Sequence, residues 1–235
     1  MKNQYFGDRR DYFKYEVLER LAAGLTEMQQ LTCLWMLTPP DGTGQGHVPF
    51  TPDPELPDLT GFFRSRLNSA DPGQIRVGKM GAYFEGRPFG FFSYRDDRED
   101  FGPATRSEYF TSVPDEALRR AVVFFDPDNG MEPGRATEKH LRFEELARVL
   151  ARMDAASVAV VFQYSRRVGD FWAVMARQLR DRLLRHLAYI AEPTLAFYVL
   201  AGSADRRDEA CGVLRRIATR HTPGTANHRI VATAG

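Results

Sequence analysis

The chain has 235 residues, 43% of them hydrophobic and 27% charged, which fits an ordinary globular protein built as one α/β domain over residues 1–235. No apolar run approaches the roughly 20 residues that a spanning helix needs, and the opening residues lack the apolar core of a secretory signal, so a cytoplasmic, non-membrane protein is expected. The net charge of +1 hides an asymmetry: residues 151–235 hold 13 Arg against 7 acids, a balance of +6, which leaves −5 for the first 150. A basic C-terminal part can attract phosphate backbones, so nucleic acid is a candidate partner, weighed against a plain solvated helix face. Cys33 and Cys211 stand alone in apolar segments and the five histidines show no metal-ligand spacing, so neither a disulfide framework nor a zinc or His-based metal site is expected.

Apolar residues at Phe13, Val17, Leu18, Leu21 and Ala22 predict an amphipathic helix over 11–23. The run 31–37, stopped by Thr38-Pro39-Pro40, predicts a first internal strand. Residues 41–57 are rich in Gly and Pro and predict a long loop; 58–67 predicts a short helix. An irregular insertion follows over about 68–113, with short strands at 74–77 and 90–94 and a charged patch at 96–100 that is read as solvated loop. Beyond it the pattern predicts a short helix at 115–120, a strand at 121–125, a helix at 143–152, a strand at 157–163 and a long helix at 170–188. A strand at 194–201, a helix at 205–220 and a strand at 228–233 close the chain. Continuous apolar strands between helices imply a mostly parallel sheet with helices on both faces, whose ligands lie outside the carboxyl ends of the strands.

Four segments carry residue types suited to chemistry. Asp126-Pro127-Asp128-Asn129-Gly130 follows the strand at 121–125; carboxylates and an amide there can position a water, accept hydrogen bonds from an amino group or bind a metal, while a tight turn uses the same residues. Asp41, Gly42 and Gly44 follow the first strand, where glycines let backbone amides approach a nucleotide, or simply form a mobile loop. Tyr5 and Lys14, with Phe6 and Tyr12 between them, can stack on a base and hold a phosphate, or anchor the first helix. Gln163-Tyr164-Ser165-Arg166-Arg167 ends the next strand; if that strand lies beside the one ending at Asp126, Gln163 and Tyr164 face the same crevice, and Arg166 and Arg167 reach phosphate or cap a helix.

Asn3-Gln4-Tyr5-Phe6-Gly7-Asp8, Trp35-Met36-Leu37-Thr38-Pro39 and Phe125-Asp126-Pro127-Asp128-Asn129-Gly130 together resemble an uncharacterised bacterial family over most of the chain. More distantly, the layout resembles the large-subunit ribosomal RNA adenine-N6 methyltransferases and the three-Cys-motif partner proteins. That resemblance implies a Rossmann-like, methyltransferase-type sheet with a reversed last strand, supplied here by the segments after residue 194. It implies S-adenosylmethionine as cofactor, held near Thr38, Asp41, Gly42 and Gly44. The family's Asp-Pro-Pro-Tyr motif falls on Asp126, Pro127, Asp128 and Asn129, so Asp126 stands beside the target amine of a flipped base. Here Asp128 replaces the second proline and Asn129 the aromatic, so the motif brings no stacking platform. Asp126 and Asp128, with Glu132, offer an alternative: oxygen ligands for Mg2+ in a nuclease or phosphodiesterase. A third expectation is a non-catalytic interaction module of the same fold.

Overall fold

The computed structural model describes residues 2–40, 52–69, 71–74, 76–166, 170–221 and 229–232. After a 3-10 turn at Asn3–Tyr5, the first helix, α1, spans Arg9–Gly24. Asp8 starts it: an extended residue whose Oδ1 accepts from the backbone N–H of Arg10 at 2.8 Å and of Asp11 at 3.2 Å, occupying two of the amides that a helix start leaves open. The strand β1 (Gln30–Trp35) follows, then α2 (Pro57–Leu67) with proline in its first turn, α3 (Met80–Phe84), β2 (Gly90–Tyr94) and α4 (Arg106–Thr111). The second half is β3 (Ala121–Asp126), α5 (Phe143–Leu150), β4 (Val158–Tyr164), α6 (Phe171–Leu183), β5 (His186–Ala191), β6 (Leu195–Ala201), α7 (Ala204–His221) and β7 (Arg229–Ala232).

These strands form one seven-stranded sheet in the order β2-β1-β3-β4-β6-β5-β7. The pairings β1–β2, β1–β3 and β3–β4 are parallel, and β4–β6, β5–β6 and β5–β7 are antiparallel. Strands β1 to β5 therefore run one way, while β6 and β7 run the other. Alternate residues of each strand feed two cores. Cys33, Trp35, Phe124, Val160 and Phe197 pack under α1, α2, α3 and α7; Leu34, Val123, Phe125, Val161 and Tyr198 pack under α4, α5 and α6. The mixed α/β architecture with helices on both faces thus follows from strands that are apolar on both sides. Among the described residues no helix is long and apolar enough to cross a membrane.

Three expectations need correction. The helix predicted over 170–188 stops at Leu183, because Leu184 takes a left-handed conformation (φ 50) and the apolar run behind it becomes β5. A short apolar run fits a buried helix or a buried strand equally well; here the turn through Glu192, whose N–H donates to Leu195 O at 2.8 Å, folds β5 back on β6 as a hairpin. The reversed strand is consequently not the last one alone: β6 is inserted between β4 and β5, and β7 is reversed as well. The strand expected at 74–77 is absent: 3-10 turns occupy Pro72–Gln74 and Val77–Lys79, in keeping with the Pro and Gly residues there.

The chain leaves β1 for β2 on one side and returns past β1 to β3 on the other. Adjacent parallel strands whose connections diverge in this way leave a crevice at their carboxyl ends. Trp35 pairs with Asp126 across that point.

Leu184 is 87% exposed and strained in the left-handed region, a conformation that suits glycine. Leu184→Gly is expected to raise the unfolding free energy by about 0.5–1 kcal/mol, once glycine's larger unfolded-state entropy is set against the relieved strain. Urea denaturation measures this; a loss of stability would show that Leu184 makes a contact worth more than its strain.

Candidate functional site

A cleft of about 370 Å³ opens at the carboxyl ends of β3 and β4, beneath the start of α1. Its floor is a buried ionic triad. Lys14 Nζ donates to Asp11 Oδ1 at 2.8 Å and to Asp126 Oδ2 at 2.9 Å, and all three side chains are almost fully enclosed. Helical spacing sets Asp11 and Lys14 on one face of α1, while the end of β3 sets Asp126 opposite them. Gly7, at φ 108, turns its N–H toward Asp11 Oδ2 at 2.9 Å, so the second oxygen of that carboxylate is also satisfied. The Lys14 ammonium further lies 5.1 Å from the centroid of the Phe162 ring.

Burial would strip the charge from Lys14, but Asp11 and Asp126 outweigh it and hold its pKa above the ordinary lysine value. Burial raises the Asp126 carboxyl, and Lys14 works against that rise. Beside the triad, burial holds the Tyr15 phenol well above its usual value, with Asp11 adding to the effect. The Tyr15 hydroxyl has no hydrogen-bond partner among the described residues.

A second ionic group closes the neighbouring edge. Asp128 Oδ2 accepts from Thr38 Oγ1 at 2.6 Å and lies 3.8 Å from Lys2 Nζ; Lys2 also donates to Thr38 Oγ1 at 3.0 Å and to the carbonyl of Pro39. Asn3 fastens the same segment, donating to Glu99 Oε1 at 2.7 Å and accepting from the N–H of Val77 at 3.0 Å. Burial would raise the Asp128 carboxyl, but neighbouring positive charge, the Thr38 hydrogen bond and, last, Lys2 hold it below the ordinary value. The opening segment is thereby strapped across the carboxyl ends of β1 and β3.

Of the residues singled out in the sequence, Tyr5, Lys14, Asp126, Asp128 and Asn129 all line this cleft, and Thr38 joins it through Asp128. Asp41, Gly42, Gly44 and Arg167 lie outside the described residues. Arg166 is not brought in: it donates to the carbonyl of Met131, stands 5.6 Å over the Phe171 ring and borders a separate cleft by α6. Glu132 is turned away as well, accepting from the N–H of Phe143 at 2.8 Å where α5 begins. Asp126 and Asp128, the two carboxylates expected to ligate Mg2+, each face a lysine ammonium, so the ion would have to displace a buried cation. Among the described residues no group of three or more His, Cys, Asp or Glu gathers as metal ligands.

Gln163 and Tyr164 diverge. Gln163 is fully buried; its Oε1 accepts from the N–H of Met131 at 2.7 Å, and its Nε2 donates to Tyr164 O at 2.8 Å. Gly130 permits this: it sits at φ 84, and a Cβ there would collide with the Gln163 amide. Tyr164 enters the cleft, with Arg10 above its ring.

Two outcomes test the triad. Lys14→Met keeps most of the volume but leaves two buried carboxylates without their cation, so it is expected to cost about 3–5 kcal/mol of stability. In a chain of this size that lowers the melting temperature by roughly 6–20 °C; an unchanged melting curve would show that the triad contributes nothing.

The pH dependence has a definite sign. Lys14 and Tyr15 keep their protons in the folded state beyond the unfolded values of about 10.4 and 10, so their contribution is complete below those values and is lost as pH rises past them. The urea midpoint is therefore expected to fall between about pH 9 and 11, more steeply in the wild type than in Lys14→Met. Equal slopes would mean that Lys14 does not hold its proton.

No family model matches the chain, and no curated protein does. Among solved structures, it is similar to the crystal structure of a Legionella pneumophila protein described by the family model DUF519, at 12% identity and a TM-score of 0.46, over 96% of this chain and 97% of that one.

Proposed function

We propose that the chain is an S-adenosylmethionine-dependent methyltransferase-like protein with a Rossmann-like, methyltransferase-type sheet, acting on an amino group carried by nucleic acid. The carrying observation is the place of Asp126: a buried carboxylate at the end of β3, in the crevice at the sheet's switch point, held in one orientation by Lys14. The reversed strand β6 beside β4 supports the sheet type.

An amino group on a conjugated ring is a poor nucleophile, because its lone pair is delocalised into the ring. A carboxylate that accepts a hydrogen bond from that N–H draws the nitrogen towards a tetrahedral shape and stabilises the positive charge that grows as a new N–C bond forms. Asp126 fits this task. Lys14 opposes its protonation, and enclosure in the cleft strengthens its pull on the amine.

S-adenosylmethionine, when bound, supplies a methyl group made electrophilic by its positively charged sulfur. The donor set of the cleft suits such a molecule. Lys2 with Asp128, and Lys14 with Asp11, set positive and negative groups side by side, which complements a zwitterion rather than a polyphosphate. Thr38 and Asp128 add polar groups at the neighbouring carboxyl ends of β1 and β3.

At a ligand concentration about 100 times Kd, S-adenosylmethionine should add ~2.7 kcal/mol of stability, a melting shift of roughly 5–10 °C. Methyl transfer from labelled cofactor to RNA or DNA should fall by about 100-fold or more in Asp126→Asn, with cofactor binding retained. Absence of any shift at millimolar cofactor, or full transfer by a folded Asp126→Asn protein, would overturn the reading.

A further inference from the structure

The motif after β3 presents Asn129 where an aromatic would support the acceptor, yet the cleft is not without aromatic surface. Strands β3 and β4 are parallel neighbours, with Phe125 paired to Val161, so both carboxyl ends open on the same space. Phe162 and Tyr164 are two residues apart and share one face of β4, the face on which the Lys14 ammonium lies. Phe162 is buried and meets the Tyr164 ring edge-on, with centroids 4.7 Å apart and planes at 86°. The hydrogen bond from Gln163 Nε2 to Tyr164 O fixes the backbone behind the ring. The Arg10 guanidinium stands over the ring 5.4 Å from its centroid. The result is a half-buried, braced phenol with a guanidinium plane above it, on the wall of the cleft that holds Asp126.

We infer that the Tyr164–Arg10 pair is the surface on which a planar, amino-bearing ring of the acceptor stacks, in place of the aromatic missing at Asn129; this rests on the reading of the cleft as an amine-methylating site. Aromatic and guanidinium planes both stack on nucleobases. The same pair disfavours an alkylammonium acceptor, whose charge would be repelled by Arg10. Burial pushes the Tyr164 hydroxyl up to about 12, so the ring is a neutral surface and not a base at physiological pH.

The test titrates short single-stranded oligoadenylate and oligocytidylate into the wild type, Tyr164→Phe and Tyr164→Leu. S-adenosylmethionine binding is measured calorimetrically on the same three proteins. Tyr164→Phe should stay within about twofold of the wild type for the strands, while Tyr164→Leu should lose roughly 5- to 150-fold, the range that one base–aromatic stack commands. Cofactor affinity should be unchanged in all three, which also shows that the leucine variant is folded. Equal strand affinity in the three proteins, or cofactor binding by a wild type that takes up no strand, overturns the stacking role and leaves the methyltransferase reading intact. Loss of cofactor affinity in Tyr164→Leu also overturns it, because the ring would then belong to the cofactor. Strand binding that depends on Tyr164 without any cofactor binding has the opposite meaning: the stacking surface stands and the methyltransferase reading falls.

Discussion

One ammonium group holds the end of β3 and the first helix together. Two carboxylates that leave water in the same small space repel each other, and each carries a desolvation cost of several kcal/mol. Lys14 Nζ, within 2.9 Å of both Asp11 and Asp126, makes their joint burial tolerable. The pairing also fixes geometry: α1 can dock over the sheet only where Lys14 reaches the end of β3, so the helix that precedes the sheet in sequence roofs the cleft that follows β3. Phe13, in contact with Phe197 at 5.6 Å, and Tyr15, with Trp35 at 6.2 Å, then seal the apolar side of the same helix.

Asp128 has a structural role on the lining of the cleft. A proline there could not face Lys2 and Thr38; Asp128 does, and so ties the opening segment across the ends of β1 and β3. Asp128 is a polar latch, and the aromatic wall of the cleft is carried by the adjacent strand β4. Asn129 is exposed at the rim, while Tyr164 stands against Phe162 at the wall.

Much of this was legible before the coordinates. An apolar strand cut short by Asp126-Pro127 ends where a parallel sheet binds its ligands, and Lys14 falls on the helix predicted over 11–23. What could not be read was pairing. Nothing in residues 170–191 distinguishes a helix that continues from a helix that stops and turns into β5, because the deciding feature is the left-handed Leu184, a conformation that leucine does not advertise. Glu132 and Arg166 carry suitable groups close in sequence to the cleft, yet both lie past the ends of their strands, in segments that carry them to the start of α5 and to the separate cleft by α6.

The charge asymmetry bears on how an acceptor would be held. The exposed arginines of the C-terminal part include Arg177 and Arg182 on α6 and Arg215, Arg216 and Arg220 on α7. Leu179 of α6 and Leu214 of α7 belong to different cores, so these helices lie on opposite faces of the sheet, and one nucleic-acid strand cannot follow both. On the cleft lining Lys2, Arg10, Lys14 and Lys139 are balanced by Asp8, Asp11, Asp126 and Asp128, which leaves little excess positive charge for a phosphate chain. On the proposed reading, recognition therefore rests on what the cleft offers a single residue of the acceptor: a stacking surface at Tyr164 and an acceptor for its amine at Asp126. Phosphates contribute from one flank at most. Salt should accordingly weaken binding far less than it does for proteins that track a duplex through many lysine and arginine contacts.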